Sequence, residues 1–215
     1  MNRRQLLRLI VSGTAIAAGG GVAVAAALSR HVRWTRPPSI TVISAQGDSR
    51  ISLVREAVDY WNRLFTELQT PFRLGVVTLV VGSIPDTDVL GLGLGRTWRP
   101  GLPASLAGYQ GDILVVLSDA SFISCAAPRG DQVVLAIKTQ NDPRMTPNIM
   151  RNVIAHELGH AIGLDHNADP TLLMCGRPAP CRPGIYRSEA PRFFPLSASE
   201  KARLLELYPS EWLRH

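Results

Sequence analysis

Residues 156–166 have the sequence HELGHAIGLDH, and this stretch holds three of the five histidines in the 215-residue chain. His156 and His160 are four residues apart, so on a helix their imidazoles lie on one face, one turn apart. Two imidazoles in that arrangement can bind one metal ion at nitrogen–metal distances of about 2.0–2.1 Å. The spacing therefore predicts a metal-binding helix.

The third histidine constrains the local fold. If the helix continued, His166 would lie about 15 Å along the axis from His156. Nitrogen ligands of one zinc ion, however, lie only about 3–4 Å apart. The helix must therefore end and the chain must turn back, and Gly163 stands where a left-handed residue makes such a turn. These arguments predict three metal ligands, namely His156, His160 and His166.

A carboxylate, Glu157, directly follows the first of these histidines. Three neutral nitrogen ligands leave one position on Zn²⁺ open for water, whereas structural zinc sites usually have four protein ligands. Glu157 is placed to take the proton of that water as a general base. The residues therefore favour one catalytic Zn²⁺ over the alternative, a catalytically inactive zinc-binding interaction module on the cell surface.

The pattern resembles the metzincin zinc metallopeptidases. Met174 follows His166 by eight residues, and the Asp-Pro and Leu-Met spacing within 169–174 is most similar to that of the matrixins. The resemblance implies that Met174 forms the Met-turn, the floor under the metal. Without the histidines, a core methionine would be the better interpretation. The implied activity is that of a zinc-dependent endopeptidase, which hydrolyses peptide or protein substrates.

The chain also departs from the matrixin pattern. Asn167 stands where vertebrate matrixins have serine, and Ser199-Glu200 stands where paired aspartates open their last helix. A second, structural zinc needs further histidines, and because only His31 and His215 remain, we expect it to be absent. Calcium sites stay undecided, since the remaining acidic residues are scattered.

Apolar periodicity predicts an α+β domain. Residues recurring at spacings of three and four from Ile51 to Leu68 predict a scaffold helix. Residues 83–111, rich in glycine and proline, predict a long surface loop. Short apolar runs predict strands at 40–44, 112–117 and 132–138, a buried strand at 72–82, and a candidate edge strand at 121–125. The resemblance implies that they form a twisted mixed sheet.

Capping residues predict where two further helices begin. Thr146-Pro147 supplies a cap and a proline at the first helical position, so the active-site helix is expected from there to about Ile162. Residues 197–200 form a capping-box pattern that opens a last helix, which Pro209 stops after Tyr208.

The start of the chain predicts export. Three arginines precede Leu9–Leu28, a run of 20 uncharged residues. Only seven of the 20 are Leu, Ile or Val, so the run is a marginal membrane span. Near its end stand three alanines at 25–27, the small-residue pattern that a signal peptidase needs. The Arg3-Arg4 pair resembles a bacterial twin-arginine signal. Residues 1–27 are therefore expected to be a cleaved signal peptide, with a retained membrane anchor as the alternative.

This interpretation divides the chain into the export segment 1–27, a linker at 28–39 and a single metallopeptidase domain at 40–215. The domain is expected to be extracellular, periplasmic or anchored at the outer face of the cytoplasmic membrane. Contact with the membrane is expected only through the N-terminal segment. The sequence does not indicate an oligomeric state.

Composition excludes other classes of protein. Hydrophobic residues make up 46% and charged residues 19%, which is typical of a globular rather than a disordered chain. The net charge is +6, but Arg3, Arg4 and Arg8 supply half of it and no Lys/Arg-rich run follows. A charge-driven nucleic-acid binder is therefore not expected.

Three cysteines are too few for a disulfide-built scaffold. In an oxidising compartment, one disulfide and one leftover thiol are expected among Cys125, Cys175 and Cys181. The Cys175–Cys181 pair is favoured, without excluding the others. The resemblance further implies that residues 175–196 form the wall of an apolar pocket for the substrate residue that follows the cleaved bond. The alternative is a plain connecting loop.

Overall fold

The structure is a computed structural model that describes residues 33–93, 102–138, 146–176, 181 and 189–212. The predicted export segment 1–27, His31 and His215 lie outside these ranges, as does the part of the predicted linker before residue 33. No helix within the described ranges is long and apolar enough to cross a membrane.

A five-stranded mixed sheet forms the centre of the domain. The strands are β1 (Ile40–Ser44), β2 (Val77–Val81), β3 (Ile113–Leu117), β4 (Cys125–Arg129) and β5 (Gln132–Ile137). Their order in the sheet is β2-β1-β3-β5-β4; β4 alone runs antiparallel to its neighbour, and the other pairs are parallel. Parallel neighbours require long crossover connections, which place helices on the faces of the sheet.

Helices cover both faces of this sheet. Alternate residues of β3 divide between two cores, because successive side chains of a strand point to opposite faces. The helices in the described ranges are α1 (Arg50–Glu67), α2 (Asp86–Gly93), α3 (Pro147–Ala161) and α4 (Ala198–Leu207). Val115 belongs to the larger core with α1, α3 and α4, and Leu114 to the smaller core beneath α2.

The predicted caps are confirmed. Thr146 Oγ1 accepts a hydrogen bond from the Ile149 amide at 3.4 Å, and Pro147 is the first residue of α3. At α4, Ser197 Oγ accepts from the Glu200 amide at 3.1 Å, and Glu200 Oε2 accepts from the Ser197 amide at 2.7 Å. Both ends of this capping box are therefore formed.

The prediction of a buried strand at 72–82 is wrong in extent and burial. Strand β2 covers only Val77–Val81 and lies at the edge of the sheet, where Leu79 and Val81 are 38% and 61% exposed. Phe72 is buried without being in a strand and stacks on Tyr208. Strand order is a long-range property, so a local apolar run cannot show which strand ends at an edge.

The predicted loop at 83–111 contains helix α2, which buries Val89 and Leu92 against the smaller core. Residues 94–101 of that loop lie outside the described ranges. The candidate edge strand at 121–125 is also displaced, since β4 begins at Cys125. Pro128 weakens the strand signal there, but proline is compatible with an edge strand.

Candidate metal centre

Helix α3 carries the first two predicted ligands into the interior, where every residue from Asn148 to Ala161 is buried. His156 and His160 are each 4% exposed. Their Nε2 atoms lie 3.1 Å apart. The one-turn spacing on a helix thus brings the two imidazoles together, as predicted.

The turn after α3 has the predicted left-handed glycine. Gly163 has φ +96°. Its amide donates to the His160 carbonyl at 3.0 Å, and the Leu164 amide donates to the Gly159 carbonyl at 3.0 Å. These are the two hydrogen bonds of a Schellman motif, which ends a helix and redirects the chain.

Aromatic side chains from both ends of the domain secure the end of α3. Trp34 Nε1 donates to the Ala161 carbonyl at 2.8 Å, and Tyr208 Oη donates to the Ile162 carbonyl at 3.1 Å. Trp212 Nε1 in turn donates to the Trp34 carbonyl at 2.8 Å. The described part of the predicted linker therefore contacts the domain and supplies partners for helix-terminal carbonyls.

The redirected chain returns His166 to the other two histidines. Its Nε2 lies 3.2 Å from Nε2 of His156 and 3.0 Å from Nε2 of His160. Among the described residues, these three form the one cluster of His, Cys, Asp or Glu that could hold a metal ion. The predicted return of His166 is confirmed, and the arrangement places three nitrogen donors around one point.

Backbone carbonyls set the tautomers of the two helical histidines. Nδ1 of His156 donates to the Leu173 carbonyl at 2.7 Å, and Nδ1 of His160 donates to the Leu164 carbonyl at 2.8 Å. A neutral imidazole has one N–H, so each Nε2 carries a lone pair. Burial, with a smaller contribution from His166, lowers the pKa of His160 to about 4, which keeps this ring neutral at pH 7.

These protonation states test whether the residues fit a metal. In their neutral forms, with the protons on Nδ1, the two rings place lone pairs 3.1 Å apart inside a buried site, and such lone pairs repel each other. A divalent cation between the rings converts that repulsion into two coordination bonds. Nitrogen ligands of zinc lie about 3–4 Å apart, close to the separations seen here. The donor set therefore fits a metal such as zinc.

Two glycines allow close packing around this centre. A Cβ at Gly176 would overlap the imidazole of His166, so only glycine leaves room for that ring. A Cβ at Gly159 would lie 2.5 Å from Sδ of Met174, which is fully buried against α3. Gly176 was missed by sequence reasoning, because its role depends on a ring ten residues earlier.

Asn167, next to His166, is held on both sides. Its amide donates to the Met174 carbonyl and its carbonyl accepts from the Gly176 amide, both at 2.9 Å. Its side-chain Nδ2 donates to Glu200 Oε1 at 2.6 Å. Glu200 thus caps α4 and also secures the segment that carries His166. The sequence offered one clue to this contact, because Asn167 and Glu200 both depart from the matrixin pattern.

Glu157 lies on α3 and is 5% exposed. Its charge contributes to the titration of Cys125, at the start of β4. Burial, together with repulsion from Glu157, raises the pKa of the Cys125 thiol to about 12. The carboxylate is therefore in electrostatic range of the edge strand β4, on the helix that carries two of the three histidines.

The favoured disulfide is confirmed: Cys175 and Cys181 are bonded, with their Cα atoms 5.7 Å apart, and Cys125 is free. The bridge ties residue 181 to the residue after Met174. In the predicted pocket-wall segment 175–196, residues 177–180 and 182–188 lie outside the described ranges. Phe193 stacks on Tyr60 of α1 with ring centroids 4.3 Å apart.

No family model and no curated protein matches this sequence. Among solved structures, archaemetzincin from Methanopyrus kandleri has a TM-score of 0.50 and 15% identity, over 81% of this chain and 97% of that one. Metalloproteinase-II from Bacteroides fragilis has a TM-score of 0.47 and 17% identity, over 82% of this chain. This chain spans about half of that protein, 54% of its length. The likeness to archaemetzincin shows a shared fold.

Proposed function

We propose that this chain is an exported zinc-dependent endopeptidase of the metzincin type, most similar to the matrixins. In this proposal His156, His160 and His166 hold one Zn²⁺ and Glu157 is the general base. The observation that carries it is the meeting of three imidazole nitrogens within 3.0–3.2 Å of one another, two of them from the helix that also carries Glu157. The fold shared with archaemetzincin supports it.

The three histidines bind the metal as neutral ligands, so they leave its positive charge uncompensated. When bound, Zn²⁺ supplies Lewis acidity that polarises the scissile carbonyl and lowers the pKa of water. The hydrogen bonds from Nδ1 to the Leu173 and Leu164 carbonyls hold two of the rings in the tautomer that binds metal. In this proposal Met174, which packs against Gly159, forms the Met-turn beneath the three rings.

Glu157 moves the proton. It directly follows His156, so both side chains project from the same turn of α3. Its carboxylate accepts the proton of the attacking water and passes it to the nitrogen of the leaving amine. No other described acidic residue follows a histidine of the cluster in this way. A structural metal site has no need of this carboxylate, which argues against the inactive zinc-binding module.

The open edge of β4, against which no other described strand pairs, supports a peptide or protein substrate. Pro128 pairs in register with Val133. The Val133 amide points away from Pro128 and donates to the Asp112 carbonyl, on the β3 side, at 2.9 Å. Antiparallel residues alternate between facing the partner strand and facing away. The amide and carbonyl of Ala126, a residue that is 5% exposed, therefore point away from β5, and in this proposal an extended peptide pairs with that edge of the sheet.

Export is part of the proposal. The Cys175–Cys181 disulfide supports an oxidising compartment, since disulfides persist mainly outside the cytosol. The predicted export segment 1–27 agrees with this. In the proposal the domain functions on the outer side of the membrane, and any membrane contact is made through the N-terminal segment.

The proposal is tested by incubating the purified protein with a mixed peptide library, with and without a zinc chelator. Cleavage at internal peptide bonds is expected, lost with chelator and restored by Zn²⁺. A Glu157→Ala protein purified in parallel controls for contaminating peptidases. A zinc-loaded wild-type protein that cleaves no peptide would leave the inactive binding module as the better account.

A further inference from the structure

Two asparagines on α3 bind one extended segment of backbone. Asn148 Nδ2 donates to the Ala190 carbonyl at 2.6 Å, and Asn148 Oδ1 accepts from the Arg192 amide at 2.9 Å. Asn152 repeats the pattern: Nδ2 donates to the Arg192 carbonyl at 2.8 Å, and Oδ1 accepts from the Phe194 amide at 2.7 Å. Both asparagines are buried, at 2% and 1% exposure.

This pattern has a geometric basis. Four residues of a helix rise about 6.0 Å, and two residues of an extended strand rise about 6.6 Å. Asparagines four apart on a helix can therefore pair with backbone groups two apart on a strand. The side-chain amides of α3 replace a neighbouring strand for residues 190–194.

The hydrogen bonds continue from this segment to the metal centre. Pro195 follows Phe194, and its carbonyl accepts from the Leu173 amide at 2.9 Å. The Leu173 carbonyl accepts from Nδ1 of His156 at 2.7 Å. Since Asn152 and His156 are one turn apart on α3, the contacts form a closed loop from the helix, through two backbone segments, to the imidazole.

We infer that Asn152 is a positioning residue for His156. It fixes the Phe194–Pro195 backbone, Pro195 fixes the Leu173 peptide, and Leu173 sets the tautomer and ring plane of the imidazole. The inference rests on the proposed zinc site. Hydrogen-bond partners of metal ligands typically contribute about 10–100-fold to metal affinity. Asn152 acts one peptide further away, so its loss is expected to cost about tenfold.

Asn148 provides a matched control. It is on the same helix, is equally buried and binds the same segment with two hydrogen bonds, but at the end near Ala190 and Arg192. Its contacts do not reach Pro195. If Asn152 only stabilised the segment, removal of either asparagine would affect the metal centre equally.

The experiment compares full-length wild type, Asn152→Ala, Asn148→Ala and Asn152→Asp. Zn²⁺ affinity is measured by competition with a chromophoric chelator, and ligand geometry from the visible absorption of the Co²⁺-loaded proteins. Asn152→Ala is expected to bind Zn²⁺ about tenfold more weakly and to shift the Co²⁺ bands. Asn148→Ala is expected to keep both within about twofold. Asn152→Asp keeps the acceptor for the Phe194 amide but turns a carboxyl oxygen toward the Arg192 carbonyl, so it is expected to recover only part of the affinity.

Equal effects of Asn152→Ala and Asn148→Ala, or none, would overturn the positioning role while leaving the proposed zinc site intact. If Asn152→Ala does not fold, Asn152→Ser takes its place with the same expectations. A folded wild type that binds no Zn²⁺ would overturn the proposed function, and this inference with it.

Discussion

Helices α1 and α3 pack against each other but use burial differently. The interior face of α1 is apolar apart from Arg50, its first residue, whereas α3 buries polar side chains throughout its length. An apolar side chain needs only volume and contact, but a buried polar one needs a partner at defined geometry. The contrast teaches that α1 mainly contributes to the free energy of unfolding. Helix α3 contributes less to it, because its buried polar side chains serve instead to hold functional groups in a fixed arrangement.

The largest expected effect separates chemistry from binding on α3. Glu157→Gln keeps the shape of the side chain and leaves all three histidines in place, but it removes the proton acceptor. Peptidase kcat is expected to fall about 10²–10⁴-fold, with zinc content unchanged. Peptide-cleavage assays on protein of measured zinc content check this. Turnover near that of wild type would exclude Glu157 as the base.

A core substitution on α1 is expected to show the opposite pattern. Phe65 is fully buried and contacts the rings of Phe72 and Tyr208. Phe65→Ala should lower the free energy of unfolding by about 3–5 kcal/mol, while the folded protein keeps its Zn²⁺ affinity. Urea unfolding of the metal-free chain and chelator competition measure the two quantities.

Phe65→Leu, a smaller change, is expected to lie between wild type and Phe65→Ala in stability and to match wild type in affinity. If the folded fraction of both variants binds Zn²⁺ more weakly than wild type does, the contrast between α1 and α3 fails. In that case α1 would also serve to position the metal centre.

Glu200 joins the two kinds of role in one side chain. Glu200→Ala removes one of the two hydrogen bonds of the α4 capping box, from the Ser197 amide, and the hydrogen bond from Asn167, so a loss of about 2 kcal/mol in unfolding free energy is expected. Ser197→Ala removes only a cap bond and should cost about 1 kcal/mol. Zinc affinity is expected to fall in the first variant and not in the second, because Asn167 adjoins His166. Equal affinities in the two variants would show that Asn167 does not need this anchor.

The sequence predicted correctly those features that depend on neighbouring residues or on a fixed distance between ligands. The return of His166 follows from the short distance between ligands of one metal ion, and the caps at Thr146 and Ser197 follow from neighbouring residues. Gly163 could be placed because a Schellman turn has a fixed position for its left-handed residue.

The features that were missed depend on partners far along the chain. Helix α2 is stabilised by burying Val89 and Leu92 on a sheet face, so its own glycine-rich sequence gives little indication of it. The exposure of β2 depends on strand order. Asn148 and Asn152 are unremarkable polar residues until a segment about 40 residues later is packed beside them.

The central claim is that His156, His160 and His166 together hold one catalytic zinc ion. X-ray absorption at the zinc edge, on full-length protein of measured metal content, tests it most directly. The account predicts one zinc per chain with three imidazole nitrogens at about 2.0–2.1 Å, and one imidazole fewer in His166→Ala. A folded wild-type chain without zinc, or a His166→Ala chain with an unchanged spectrum, would contradict it.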